Sequence, residues 1–232
     1  MEVFNLDFLA KKREYIFLNN QSSLVRVHVT KVASSPYNIW VEGKSKNYRD
    51  CVTLLEKALK YLDNENIPSI IIIDNKKLGK GSISSYSYKD DIIFFNNYYH
   101  SLPKIERLTK QNLFVAKNIS QIIKHELGHK LHWDAAKRFY QANKNKYNNI
   151  KEAKNSLDAN LEQYISYQLT DNYSYLIENV SMYAHYSFRF AKENNKYNIV
   201  NEVIAEVIAA NGSKDQSLNK IIMEELNYGR KS

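Results

Sequence analysis

Between Ser120 and Trp133 the chain reads SQIIKHELGHKLHW, which places His125, Glu126 and His129 in the spacing H-E-x-x-H. Side chains four positions apart share one face of a helix, so the two imidazoles can meet one ion while Glu126 projects beside them. Zinc in such a setting lowers the pKa of a water molecule to about 7, and a neighbouring carboxylate can take its proton as it attacks a polarised carbonyl. The chemistry implied is hydrolysis of an amide bond. Ile119, Ile122, Ile123, Leu127 and Leu131 fall on the opposite side of this helix and are expected to bury it in a core.

A catalytic zinc needs a third protein ligand and one open position. The long metzincin form would require Gly at 132 and His at 135, where this chain has His132 and Ala135. His132 lies about 10 Å along the helix from His125, too far to share the ion with both other imidazoles, and is expected behind the site or at the surface. The acidic candidates downstream are Glu162, Glu178, Glu202, Glu206, Glu224 and Glu225. Most informative is Asn201 to Val207, NEVIAEV, because Glu202 and Glu206 share one face of a helix whose other faces are apolar. Glu202 is expected to ligate the zinc. Glu206, one turn later, is expected to accept a hydrogen bond from a ligand histidine and fix its orientation.

The elements that must position these groups divide near residue 115 into a mixed first half and a helical second half. Leu24 to Val32 alternates apolar and polar residues, Tyr37 to Val41 is a short strand candidate, and Ser45 to Leu62 repeats apolar residues at helical spacing, with Cys51 in its apolar stripe. Pro68 opens Ser69 to Ile73, a β-branched run suited to the middle of a sheet. Ser82 to Tyr88 and Asp91 to Asn96 read as a hairpin. Helices are expected near 118–144, 151–168, 173–193, 199–210 and 215–227, with breaks at Asn-rich stretches and at Asn211-Gly212. The expected fold is therefore α+β: one domain over 1–232, with a mixed lobe at 1–115, a helical lobe at 116–232 and an active-site cleft between them.

Composition narrows the partners. The 232 residues carry 33 Lys+Arg against 25 Asp+Glu, a net charge of +8. The cations are scattered and are mostly Lys (26, against 7 Arg), alongside 27 Asn and 22 Ile, which is the bias of AT-rich codons and not a phosphate-reading surface. No nucleic-acid partner is expected. No apolar run approaches the ~20 residues of a membrane span, and the charged start MEVFNLDFLAKKREY is unlike a signal peptide. One cysteine allows no internal disulfide. A cytoplasmic or virion-associated protein with no membrane partner is expected.

The pair HELGH and NEVIAE, with Ser181-Met182-Tyr183-Ala184 between them, resembles the anthrax lethal factor-like zinc metallopeptidases, a group that includes the Pro-Pro endopeptidases and phage-encoded peptidase domains. The resemblance covers roughly residues 67 to 210 and implies a zincin-like fold with Glu202 as third ligand and Tyr183 as the group that stabilises the oxyanion. It also implies that the strand at Asp91 to Asn96 is the outer strand of an edge hairpin, pairing with an extended peptide. Tyr183 lies 19 residues before Glu202, farther than in that group, which leaves Tyr197 and His185 as substitutes. Glu178, in ENVSMYA, is the fallback ligand, since that segment is similar to the acidic motif of the repressor-cleaving ImmA/IrrE-type peptidases. The function expected is thus a zinc-dependent endopeptidase of the gluzincin type acting on an extended protein segment, encoded by a phage or mobile element, with Glu126 as general base. The alternatives are a peptidase that cleaves a repressor and a non-catalytic zincin-like phage structural or interaction protein.

Overall fold

A computed structural model describes residues 11–18, 23–62, 66–78, 81–196 and 198–230. The fold is mixed α+β, and the chain forms two compact units, Met1–Leu108 and Thr109–Ser232. The helical unit thus begins before the change of character at residue 115. Among the described residues no helix is long and apolar enough to cross a membrane.

The first unit is built on a six-stranded sheet made of β1 (Lys12–Leu18), β2 (Leu24–Lys31), β3 (Ile39–Val41), β4 (Ser69–Ile73), β5 (Ser84–Ser87) and β6 (Ile92–Asn96), in the order β1-β2-β3-β4-β6-β5. Strands β3, β4 and β6 run parallel, and helix α1 (Lys46–Leu59) connects β3 to β4. As expected of a β-branched run, β4 lies in the interior of the sheet, and Ile70 to Ile73 are at most 1% exposed. Cys51 is buried on α1, as its place in the apolar stripe predicts, and burial pushes its thiol pKa up to about 12. A short helix α2 (Asn75–Leu78) follows β4, and a single 3₁₀ turn (Asn97–Tyr99) follows β6.

The hairpin forms, but its strands exchange the expected places. Ile92–Asn96 is paired on both sides, by β4 and β5, and is wholly buried, whereas the Ser-rich β5 is the edge. The apolar IIFFN can be satisfied only where both faces are covered, while serine hydroxyls tolerate a solvated edge. Besides α2 and the 3₁₀ turn, two elements escape the sequence pattern. Strand β1 is masked by its charges, although Phe17 stacks on Phe94 with ring centroids 4.0 Å apart. Helix α3 (Leu102–Thr109) is too short and polar to register.

In the second unit the long helix α4 (Ile119–Ala142) packs against α5 (Ile150–Asp171), α8 (Asn201–Ala210) and α9 (Gln216–Leu226). Asn118, Asn149 and Asp215 cap α4, α5 and α9 by accepting from amides of the first turn, and Asn211 ends α8 in the left-handed region at φ 62°. The helix expected at 173–193 is instead two, α6 (Tyr175–Asn179) and α7 (Met182–Glu193), because the Ser181 side chain turns back to accept from the Ala184 amide and starts a new helix.

Candidate metal centre

Being covered by three helices, α4 does not keep a single apolar face. Ile119, Ile122 and Ile123 are buried as expected, but Leu127 and Leu131 are only half-buried, while Glu126, Gly128, His129 and His132 are buried. Gly128 lies against α8: a Cβ built there would meet the Ala205 Cα at 2.7 Å. The absent side chain lets the two helices touch at the backbone, which brings the first turn of α8 up to the histidines.

At that contact His125, His129 and Glu202 converge. His125 Nε2 is 3.1 Å from Glu202 Oε2 and 3.1 Å from His129 Nε2, and His129 Nε2 is 3.5 Å from the same carboxylate oxygen. Tetrahedral zinc with ligand bonds of about 2.0–2.1 Å has ligand atoms about 3.3–3.4 Å apart. The spacings of the three donors are close to one face of such a tetrahedron, and together they could hold a metal ion. The Glu202 side chain is 24% exposed, so the face is open on one side.

Groups behind the triangle set its orientation. Glu206, fully buried, accepts from His125 Nδ1 through Oε1 (2.9 Å) and from the Val115 amide through Oε2 (2.8 Å). That leaves His125 Nε2 directed at Glu202. Burial alone would lower the His125 pKa, but its hydrogen bonds to Glu202 and Glu206 and the charge of Glu126 raise it well above the imidazole value. Conversely, burial would raise Glu202, yet the neighbouring His129 and His125 hold its carboxyl well below the usual carboxylate range. The site is thus arranged to hold opposite charges in a low-dielectric setting.

Glu126 is 4% exposed, next to His125 on α4, and its charge reaches both His125 and Tyr183. Tyr183, in the first turn of α7, lies with its ring centroid 6.2 Å from that of His125, wedged against Phe114 at 4.8 Å. Burial first, then the Glu202 charge, pushes its phenol far above the usual value, so it stays protonated. Its amide donates to the Leu113 carbonyl at 2.9 Å. Leu113, Phe114 and Val115 thus tie one loop to both Tyr183 and Glu206, a role no pattern in the sequence announced.

The remaining candidates lie elsewhere. Glu178 is exposed and accepts from Asn172. Glu162 pairs with Lys192, and Glu224 with Lys220. His185 is buried, with its ring edge-on to Tyr173 and Tyr186, and burial lowers its pKa. Tyr197 lies outside the described residues. Glu225 joins a second cluster in which His132 Nε2 is 2.9 Å from Asp158 Oδ1 and 3.0 Å from Glu225 Oε1. The Lys154 ammonium sits 2.6 Å from Asp158 Oδ2, so this second group, whose His132, Asp158 and Glu225 could also hold a metal ion, already contains a cation of its own. His132 is fully buried, which its distance along α4 left open.

Asn201 is the residue the motif search passed over. It stands between the two groups, with Nδ2 2.9 Å from His129 Nδ1 and Oδ1 3.2 Å from His132 Nδ1. Its only sequence signal is adjacency to Glu202 at the start of an apolar helix. No protein-family model matches the chain, and no curated protein or solved structure matches it.

Proposed function

We propose that the protein is a zinc-dependent peptidase with His125, His129 and Glu202 as metal ligands and Glu126 as general base. The observation that carries this reading is the near-tetrahedral triangle of three donor atoms, drawn from segments 77 residues apart and backed by Glu206. A zincin-like fold related to the lethal factor-like group is part of the proposal, as are an extended peptide substrate and a phage or mobile-element origin. Zinc, when bound, supplies Lewis acidity towards a water molecule and a carbonyl.

The chain's own groups account for the rest. Glu126 is placed to take a proton from the attacking water and return it to the leaving amine. Tyr183, kept protonated by its surroundings, can donate a hydrogen bond to the oxyanion as charge develops. Glu206 and Asn201 hold the two imidazoles in place. The exposed position of Glu178 speaks against a ligand set built on it.

The test is zinc content of the full chain beside its variants, with folding followed by circular dichroism. About one zinc in the wild type and its loss in Glu202→Ala are expected. Glu126→Gln should keep zinc and fold while peptide cleavage falls by ~10²–10⁴-fold or more. Full zinc retention in Glu202→Ala would refute the ligand set. Unchanged cleavage in Glu126→Gln would refute the base.

A further inference from the structure

Helix α4 carries a second set of metal-type donors about one turn beyond the first. His132 Nε2 faces Asp158 Oδ1 at 2.9 Å and Glu225 Oε1 at 3.0 Å, and the three donor atoms all lie within 4.8 Å of one another. Each comes from a different helix, His132 from α4, Asp158 from α5 and Glu225 from α9, and each is buried. One imidazole with two carboxylates is a donor set for zinc or another first-row divalent ion. The ring nitrogen carries at most one proton, and Asp158 Oδ1 lies in hydrogen-bonding geometry to it. Glu225 Oε1 is close enough for charge pairing but has no hydrogen-bond donor among the described residues. A buried carboxylate oxygen is thus aimed into the cluster unbonded, a position that a cation would fill.

Lys154 decides what that cation is. It lies one turn before Asp158 on α5, is fully buried, and brings its ammonium to 2.6 Å from Asp158 Oδ2, with the Trp133 ring 5.5 Å from Nζ. Its charge acts on His132, Asp158 and Glu225 alike. An ion at His132 Nε2 would stand beside this ammonium where little solvent screens the repulsion, and a charge tethered to the chain cannot be exchanged away. The first triangle differs on both counts: His125, His129 and Glu202 are paired among themselves and with Glu206 and Asn201, and Glu202 is partly exposed. We propose that His132, Asp158 and Glu225 are a second divalent-metal site held metal-free by Lys154, whose ammonium supplies the positive charge and leaves zinc to the open triangle. This inference rests on the metal centre proposed above only for the destination of the zinc, and not on peptidase activity.

The experiment is zinc per chain after equilibration with zinc and removal of the excess, with affinity from chelator competition, on the full chain and its variants. Lys154→Met puts an unbranched apolar side chain in place of the ammonium; it should hold two zinc ions where the wild type holds one, with affinity at the second group raised about 100-fold or more. Adding Glu225→Gln to Lys154→Met should return the count to one, and adding Glu202→Ala instead should leave one ion, in the second group. If Lys154→Met folds only with zinc present, zinc-dependent folding in circular dichroism that Glu225→Gln abolishes is the same result. Glu202→Ala with Lys154 intact leaves the buried cluster untouched and should take up no zinc. Zinc retained there but lost on adding Glu225→Gln means that metal enters beside Lys154, which overturns the exclusion; zinc retained whatever stands at 225 refutes the ligand set of the open triangle. A folded Lys154→Met protein that binds a single ion, lost with Glu202→Ala, overturns the second site. A wild type without zinc, whose Lys154→Met variant binds one ion that Glu225→Gln removes, upholds the second site and overturns the first.

Discussion

The two units bury different things. In the sheet unit the buried core consists of apolar side chains such as Leu55, Leu59, Ile71 and Phe94, and its buried polar residues among those described are the neutral Asn96 and Asn97. The helical unit buries Glu126, His129, Lys130, His132, Lys154, Asp158, His185, Glu206 and Glu225. A buried charge costs several kcal/mol unless partners compensate it, on the order of 3–5 kcal/mol when a partner is removed. A fold gains little in stability from that arrangement over apolar packing, and it is concentrated around α4. The sheet unit is held by dispersion and burial; the helical unit is held by those and by charge pairing.

The contrast can be broken by substitution, and the chain supplies a reporter for each unit: of its two tryptophans, Trp40 lies in the sheet core, and Trp133 lies under Lys154 on α4. With Trp40→Phe or Trp133→Phe as background, emission follows one unit at a time. The largest effect is expected from Asp158→Ala, which leaves Lys154 and His132 buried without their carboxylate. It should lower the stability read by Trp133 by about 3–5 kcal/mol and leave that read by Trp40 unchanged. An equal loss at both tryptophans would show one cooperative unit and end the comparison.

Gly128→Ala ranks next. The new methyl meets the α8 backbone, so about 1–3 kcal/mol is expected from overpacking, together with weaker zinc binding as Glu202 is pushed away. Chelator competition on the folded variant checks the second part. Ile71→Val in the sheet core should cost only about 0.5–1.5 kcal/mol, seen by Trp40, with zinc affinity unchanged.

The ion network also predicts a pH window for the metal-free protein. Burial opposes the shift, but His132 and Lys154 hold the Asp158 pKa down, so its contribution is complete above about 3.9 and is lost as pH falls through the depressed value. His132 is raised despite burial and Lys154, because Asp158 and Glu225 outweigh them; its contribution is complete below about 6.5 and is lost as pH rises through the raised value. Glu225, raised by burial, likewise contributes fully below the ordinary carboxylate value and less as pH rises, so denaturant midpoints from Trp133 should form a narrow plateau at about pH 4 and decline on either side. A midpoint that keeps rising above the plateau would contradict the pairing. The smallest change concerns Cys51: with its thiol raised to about 12 and buried, it should react with disulfide reagents only upon unfolding.

Much of this was legible in one dimension, because it depends on near neighbours along the chain. Helical period fixed the common face of His125 and His129, and that of Glu202 and Glu206. The β-branched run Ser69–Ile73 announced an interior strand, and Asn211-Gly212 announced the end of α8. Those features follow from backbone geometry, which repeats every 3.6 or 2 residues wherever the segment lies.

Only the tertiary structure brought Glu202 and Glu206, of the six candidate glutamates, to His125, since that needs α8 to touch α4 at Gly128, with Glu202 77 residues from His125 in sequence. Likewise, only packing made β5 rather than β6 the sheet edge, and only packing placed Asn201 between His129 and His132. Adjacency to Glu202 hinted at Asn201, but its two partners lie 72 and 69 residues away. Such pairings have no period to read, because they are selected by how all the helices and strands fill the core at once.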